Sequence, residues 1–279
     1  MLKRYTVNSP KTLKDFIAES LKISKNQAKD IIDSRNVIVN NKRVWIASHN
    51  LKPGDIVEIV QSEPKNDLKI LYEDDYIIAI DKPPTIVTDK ESSSAEDILR
   101  KKFKNGKIKA IHRLDKETSG VLLFAKDYKI FEKFKEIWED KNVLKIYLAI
   151  SHNEAIFKDF TINQDIDGKQ AITHLKVLNK GNGFTYFQVR IETGRKHQIR
   201  KHLASIRHPI VGDKIYGIKK FENNLVKRVA RQMLHSYKLL LPHPYLNKKI
   251  EITAPIPSDF KNVLNYLNER WEEILFVCF

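Results

Sequence analysis

Beyond residue 68 the chain is cut into apolar runs of strand length, at 69–72, 76–80, 121–125, 144–150, 171–178 and 184–191. Helical spacing falls between them: Ile130, Phe131, Phe134, Ile137 and Trp138 follow Asp127, and Ile199, Leu203 and Ile206 follow Gly194. Strand pairs broken by isolated helices, without a regular βαβ rhythm, predict an α+β domain around a largely antiparallel mixed sheet. At 279 residues, 42% of them hydrophobic, the chain has room for one such domain and a small module beside it.

The first sixty residues read as that module. Thr12 is placed to cap a helix carrying Leu13, Phe16, Ile17 and Leu21, and Ser24 with Gln27 makes a capping-box pattern ahead of Ala28, Ile31 and Ile32. Residues 37–40 and 56–60 read as short strands. Lys52-Pro53-Gly54-Asp55 fits a type II turn, with proline presetting φ and glycine accepting φ > 0. Exposed positions are mostly basic (Lys22, Lys25, Lys29, Arg35, Lys42, Arg43), and a helix N-terminus beside lysines suits a phosphate. The run 61–67 is polar, lacks apolar residues and contains Pro64, which marks a connection. The expected division is a module at 1–61, a linker at 62–67 and a larger domain at 68–279.

Fifty Lys and Arg against 35 Asp and Glu leave a net charge of +15, and the excess is not scattered. Between Arg195 and Lys238 stand 12 basic residues against two acids, Asp213 and Glu222, which is +10 of the +15. Clustered positive charge is the footprint of a polyanion, most often nucleic acid. No apolar run approaches the roughly 18 residues of a membrane helix, and the first residues lead into no signal-peptide core. A single cysteine, Cys278, excludes an intramolecular disulfide framework. A reduced, cytoplasmic protein is expected. G-x-G-x-x-G, H-E-x-x-H and G-x-S-x-G are absent, and Gly217 is followed by Ile218 where a P-loop has Lys-Ser/Thr. Chemistry without a metal, nucleotide or redox cofactor is therefore expected.

Two runs carry reactive side chains. In 110–126 polar residues occupy a turn directly before an apolar strand, and a sheet fixes what such a turn presents. Asp115 there either does chemistry or simply pairs with Lys116 or Arg113. In 192–204, Gly194 lets a strand turn sharply into a helix. His197, Arg200 and Ala204 share one face of that helix, with Ile199, Leu203 and Ile206 toward the core. Arg200 can then reach a buried carboxylate while the helix N-terminus addresses a phosphate; the plainer reading is a solvated basic face.

His112-Arg113-Leu114-Asp115-x-x-Thr118-Ser119-Gly120 resembles the signature of RluA-type RNA pseudouridine synthases. Further blocks are similar to that family and in its order across 68–257: Lys145-x-Tyr147-x-Ala149, Gly194-Arg195-Lys196-His197-Gln198-Ile199-Arg200, His208-Pro209-Ile210-Val211-Gly212-Asp213, Tyr216-Gly217, Leu234-His235 and His243-Pro244. Residues 1–61 resemble the S-four type RNA-binding domain through Ser24-Lys25, Ala28-Lys29, Val37-x-Val39-Asn40 and Leu51-Lys52-Pro53-Gly54-Asp55. Two positions depart from the pattern: Thr85 stands where glycine is usual, and Lys196 where threonine or serine is usual.

The resemblance implies the pseudouridine synthase fold and an isomerase that converts uridines of RNA to pseudouridine, with large-subunit 23S ribosomal RNA as substrate. It also implies a monomer with no cofactor and no membrane partner. That reaction breaks the N1–C1′ bond, turns the base and bonds C5 to C1′, so nothing is oxidised. The resemblance gives Asp115 the role of nucleophile, Arg200 that of its ion-pair partner, and Tyr147 a place against the uracil. Arg113 would fill the space left by the flipped base. Arg195, Lys196, His197, Lys25 and Lys29 would contact RNA, and Ile199 would wall the base. His112 would be structural, with Thr118, Ser119 and Gly120 shaping the loop. The open alternatives are a transfer RNA substrate and an RNA-binding assembly factor that has lost activity.

Overall fold

The computed structural model describes residues 2–33, 37–60, 68–218 and 229–267. The linker expected at 62–67, Arg35, Lys219, Lys220, Lys227, Arg228 and Cys278 lie outside the described residues. The chain divides into two units, Met1–Asn66 and Asp67–Phe279.

The N-terminal unit runs β1 (Leu2–Thr6), β2 (Lys11–Thr12), α1 (Leu13–Leu21), α2 (Lys25–Asp33), β3 (Val37–Val39), β4 (Lys42–Arg43), β5 (Asn50–Leu51) and β6 (Ile56–Val60). Its sheet has the order β1-β6-β3-β4, and β2 pairs with β5. Local chemistry starts both helices. The Asp15 N–H donates to Thr12 Oγ1 at 3.2 Å, and Ser24 and Gln27 exchange reciprocal bonds at 2.9 and 3.2 Å. Phe16, Ile17, Ala28 and Ile32 pack on Val37, Val39, Val57 and Ile59. Gly54 takes φ 90° and the Asp55 N–H reaches Lys52 O at 3.1 Å, closing the type II turn.

The larger unit contains β7 (Lys69–Glu73), β8 (Ile77–Lys82), α3 (Ala95–Lys102), β9 (Lys109–Ala110), β10 (Ser119–Ala125), α4 (Tyr128–Ile137) and β11 (Leu144–His152). It continues with β12 (Asp159–Asn163), β13 (Ile172–Gly181), β14 (Phe184–Ile191), α5 (Gln198–Ser205), β15 (Leu234–His243), β16 (Lys248–Thr253) and α6 (Ser258–Leu267). The sheet order is β12-β13-β14-β11-β15-β10-β8-β7, with β16 on β15 and β9 on β10. Among the described residues, β10 against β15 is the one parallel pairing. The unit is thus α+β on a mixed, mainly antiparallel sheet.

Strands β8 and β10 are buried on both faces. Ile78, Ile80, Leu122 and Phe124 join a core with Leu99 of α3, Leu203 of α5 and Phe260 of α6. Ile77, Ala79, Val121, Leu123 and Ala125 join a second core with Ile130 and Phe134 of α4. Burial on both faces explains why these strands read as continuous apolar runs rather than alternations.

Strand β15 is hidden from periodicity because His235, Ser236 and His243 are buried among Leu234, Tyr237, Leu239 and Leu241, and Pro242 breaks the pattern. Two of these polar side chains are satisfied across the sheet: Ser236 Oγ donates to Val121 O at 3.1 Å, and His235 Nδ1 lies 2.9 Å from Ser119 Oγ. Gly120 sits where β10 meets β15, at φ 109°, and a Cβ there would stand 2.1 Å from Ser236 O. Only glycine permits that approach, which brings the loop ahead of β10 against the start of β15.

Candidate active site

The loop that delivers Asp115 into β10 is fastened from several sides. Lys82 Nζ, fully buried at the end of β8, donates to Pro83 O, Ile86 O and Lys116 O at 3.0, 2.9 and 3.2 Å. Burial, with Arg231 adding to it, lowers the Lys82 pKa to about 7, against the opposing pull of Asp115 and Asp81. Thr88 Oγ1 donates to Leu114 O and accepts the Leu114 N–H, both at 3.1 Å. Gln232 Nε2 donates to Thr118 Oγ1 at 2.6 Å, and Arg231 Nη1 to Glu117 O at 3.2 Å. His112 stacks on Trp138 with centroids 4.7 Å apart and accepts the Leu123 N–H at 3.2 Å.

Thr85 also belongs to this fastening, through its N–H to Lys116 O at 2.8 Å, but it does so at φ 78°. A β-branched residue in the left-handed region costs roughly 1–2 kcal/mol, part of which glycine returns as unfolded-state entropy. Thr85→Gly is expected to raise stability by about 0.5–1 kcal/mol. An unchanged or lower urea midpoint would show that the loop holds no strain there.

Asp115 is 29% exposed, so a substrate can reach it while its deeper side is held. Arg200 Nη1 donates to Asp115 Oδ2 at 2.8 Å. Gln232 Nε2 lies 3.5 Å from the same oxygen, and His197 Nε2 lies 3.7 Å from Oδ1. Arg200 Nε and Nη2 donate to Asp213 at 2.7 and 2.8 Å, and the Tyr216 ring lies 5.2 Å from the guanidinium carbon. Burial raises the Asp213 pKa, but Arg200 and the N–H groups of Tyr216 and Ile215 outweigh it and hold the carboxyl below its ordinary value.

Tyr147 lies on β11 where the register against β15 shifts between Ile146 and Tyr147. Such an irregularity re-aims a side chain. Burial first, and the Asp115 charge after it, push the Tyr147 pKa up to about 12 against an opposing hydrogen bond with Ser236, so its hydroxyl is protonated at neutral pH.

The turn into α5 differs from its sequence reading. Gly194 is not the residue in the left-handed region; His197 is, at φ 57°, and it precedes the helix instead of lying on its face. Gln198 makes the turn, its Oε1 accepting the Arg195 N–H at 3.0 Å and the Thr193 hydroxyl at 2.8 Å. His197 Nδ1 is 3.1 Å from the Tyr216 hydroxyl. Burial lowers the His197 pKa, with Asp115 opposing, so the ring is neutral at pH 7.

The structure brings Asp115, Arg200 and His197 together and couples Tyr147 to them electrostatically. Arg113 turns outward, its Nε 3.2 Å from Asp89 Oδ1. Arg195 is half-buried, donating from Nε to Gln170 O at 3.1 Å, while Lys196 is exposed. Ile199 is buried in the core. Lys25 and Lys29 are exposed on α2 of the other unit, with Lys25 Nζ 2.9 Å from Asp15 Oδ1. The basic stretch is not uniformly a surface. Arg200 and Arg231 are buried in ion pairs with Asp213 and Asp259, and Lys201 and Lys214 pair with Asp167 and Glu117. Buried guanidinium groups are tolerated only with such partners, so part of the clustered charge is internal structure.

Asp213, Gln232 and Tyr216 are the neighbours that sequence reading left without a role. The available signal for Asp213 was that it is one of only two acids in the basic stretch. Among the described residues no group of three or more His, Cys, Asp and Glu side chains could hold a metal ion, and no helix is long and apolar enough to cross a membrane.

The family model described as RNA pseudouridylate synthase matches residues 75–205, and the S4 domain model matches residues 12–57. A Bacillus subtilis relative named as an uncharacterized RNA pseudouridine synthase, YhcT, is 32% identical over 88% of this chain and 89% of its own. A Buchnera aphidicola (subsp. Baizongia pistaciae) relative named ribosomal large subunit pseudouridine synthase C is 31% identical over 94% of this chain and 96% of its own. The solved structure of human RNA pseudouridylate synthase domain containing 4 shares the fold, with a TM-score of 0.60 at 24% identity over 71% of this chain and 92% of that one.

Proposed function

The chain belongs to the RNA pseudouridine synthases, isomerases of uridine in RNA, and on that premise we propose that Asp115 is its nucleophile and 23S large-subunit ribosomal RNA its substrate. The observation that carries the assignment is the two-sided setting of Asp115. Oδ2 is held by Arg200 at 2.8 Å, while Oδ1 of the partly exposed side chain has His197 Nε2 at the longer distance of 3.7 Å. A carboxylate anchored on one oxygen and held more loosely on the other suits attack at a sugar carbon gaining positive charge.

Oδ1 bonds C1′ as the N1–C1′ bond breaks, the uracil leaves with the electron pair and turns, and C5 then displaces the carboxylate. C5 gives up its proton and N1 gains one. Removal of the C2′ proton, the other route to the same product, would use the same oxygen. Tyr147, protonated at neutral pH and feeling the charge of Asp115, is the donor against the base. Arg113 is already exposed and, among the described residues, pairs with Asp89 at the surface, so it can swing into the duplex when the base leaves. Arg195, Lys196 and His197 contact the RNA, Ile199 backs the base from the core beneath, and Lys25 and Lys29 of the 1–61 module add phosphate contacts. The larger domain, 68–279, then works as a cytoplasmic monomer. The ribosomal assignment rests on the name of the Buchnera relative.

Tritium release from uracil C5 tests this reading. Separate pools of 23S, 16S and transfer RNA from a synthase-deficient strain would be given to the intact protein. Release from 23S RNA alone is expected. Release from transfer RNA alone would overturn the substrate assignment, and binding of all pools without release would overturn the enzyme reading.

A further inference from the structure

The structure assigns the larger unit a second RNA contact, remote from Asp115. We propose that Lys104, Lys107 and Lys129, grouped around the exposed ring of Tyr128, take phosphates and an unpaired base of the RNA at the far end of β10. This rests on RNA as the substrate and not on the identity of the nucleophile. Between Arg100 and Arg113 the chain has seven basic residues and no acid, a net +7 in 14 residues.

Part of that surplus is neutralised locally. Arg100 pairs with Glu96 and Lys101 with Asp97, both at 2.7 Å. Nearby acids are also taken: Glu73 holds Lys126 and Glu136 holds Lys133, each at 2.9 Å, while Glu132 accepts from the Tyr128 hydroxyl. Lys104, Lys107 and Lys129 are exposed, and among the described residues no carboxylate pairs with them. Uncompensated cations on one surface attract a polyanion.

The backbone that presents them is fixed, chiefly by Asn105. Its Nδ2 donates to Lys126 O at 2.9 Å, its Oδ1 accepts the Lys107 N–H at 3.0 Å, and its own N–H reaches Arg100 O at 3.0 Å. Arg100 Nε closes the turn onto Ile108 O at 2.8 Å. Lys109 Nζ lies 4.8 Å from the Tyr128 ring centre and 4.0 Å from that of Phe131, which ties the turn to the start of α4. Tyr128 itself is 61% exposed. Cations beside an exposed aromatic ring suit a single strand, with phosphates on the lysines and a base stacked on the ring. A loop already in place pays less ordering entropy on binding.

The location separates this surface from the chemistry. Lys109 and Ala110 pair with Ala125 and Phe124 at the end of β10, whereas Asp115 lies ahead of its first residue, Ser119. The strand has seven residues, so its ends are about 20 Å apart. The substrate is then an RNA that extends about that far beyond the target uridine. A contact so distant adds binding equally to ground and transition states, which lowers KM and leaves kcat alone.

The test compares the intact chain with a Lys104→Gln/Lys107→Gln/Lys129→Gln variant on in vitro transcribed 23S RNA labelled at uracil C5. Filter binding between about 50 and 200 mM salt is expected to show the log–log slope reduced by about 2–3. Tritium release should show KM raised about 10-fold with kcat within about twofold. Tyr128→Ala should weaken binding about fivefold or more, and Tyr128→Phe should restore it. An unchanged slope, or an equal fall in a Lys158→Gln/Lys176→Gln/Lys249→Gln control, would overturn the proposal. So would parental affinity in Tyr128→Ala, or variants that keep RNA and lose only phosphatidylglycerol vesicles. Lysine acetylation of the intact protein, read by mass spectrometry, covers the case of a variant that does not fold. Lys104, Lys107 and Lys129 should be protected by 23S RNA, and full reactivity in the complex overturns the site. If the intact protein releases no tritium from any RNA, the reaction reading fails, while the salt slope and the protection pattern still decide this one.

Discussion

Asp115→Asn is expected to lower tritium release by about 10^4-fold or more, with RNA affinity within about threefold of the intact protein. The amide is nearly isosteric with the carboxylate, and its oxygen can still accept from Arg200 Nη1, so the loop should keep its place. What disappears is the charged oxygen that attacks or takes a proton. Stability should not fall with activity. Arg200 faces two carboxylates in the intact protein, and removing one leaves a balanced pair with Asp213. The variant is therefore expected to be as stable as the parent or more stable by up to about 1 kcal/mol, the usual gain when a functional strain is relieved. Equal release by parent and variant would remove Asp115 from the chemistry. Loss of activity together with loss of folded protein would remove the charge-balance account instead.

The loop that carries Asp115 was legible in the sequence because its geometry is local. A polar turn running into an apolar strand fixes where Asp115 emerges, and helical spacing sets Arg200 on a face apart from Ile199, Leu203 and Ile206, from which it could reach a buried carboxylate. Caps at Thr12 and Ser24, and the turn at Gly54, were readable for the same reason: their partners lie within four residues. Thr85 was also visible as a departure, and its left-handed φ shows what the usual glycine would relieve.

What escaped depends on partners far along the chain. The irregular register that aims Tyr147 arises from pairing with β15, some ninety residues away, and β15 itself has no apolar alternation to announce it. Gln232 reaches Thr118 and Asp115 across a separation of more than 110 residues. Composition misled in one respect. Arg200 and Arg231 add to the apparent basic cluster, yet each is buried and neutralised. Spacing likewise pointed to Gly194 for the turn into α5, because glycine bears φ > 0 most cheaply. His197 adopts that conformation instead, in a turn closed by Gln198 through Arg195 and Thr193.

Arg200→Met is expected to damage stability and activity together, where Asp115→Asn damages activity alone. The side chain is 6% exposed and its removal leaves Asp213 fully buried without its cation. Breaking such a pair from one side costs about 3–5 kcal/mol, because the remaining charge is uncompensated. Activity should fall about 10^3-fold in whatever protein remains folded, since Oδ2 of Asp115 loses its anchor. The pH dependence should reveal the cause. In the parent the Asp213 carboxyl is held below its ordinary 3.8, so its contribution is complete above about pH 4 and is lost as pH falls through the lower folded value. Without Arg200 burial dominates and the folded value rises above 3.8, so the variant's folded state binds the extra proton and gains stability as pH falls toward 4. The stability gap between parent and variant should therefore be widest near pH 7 and narrow by about 1–2 kcal/mol toward pH 4.5. Urea unfolding at pH 7, 6, 5 and 4.5 would measure it. A gap that stays constant over that range would mean that Arg200 supports the site by packing alone, and not by balancing the buried charge of Asp213.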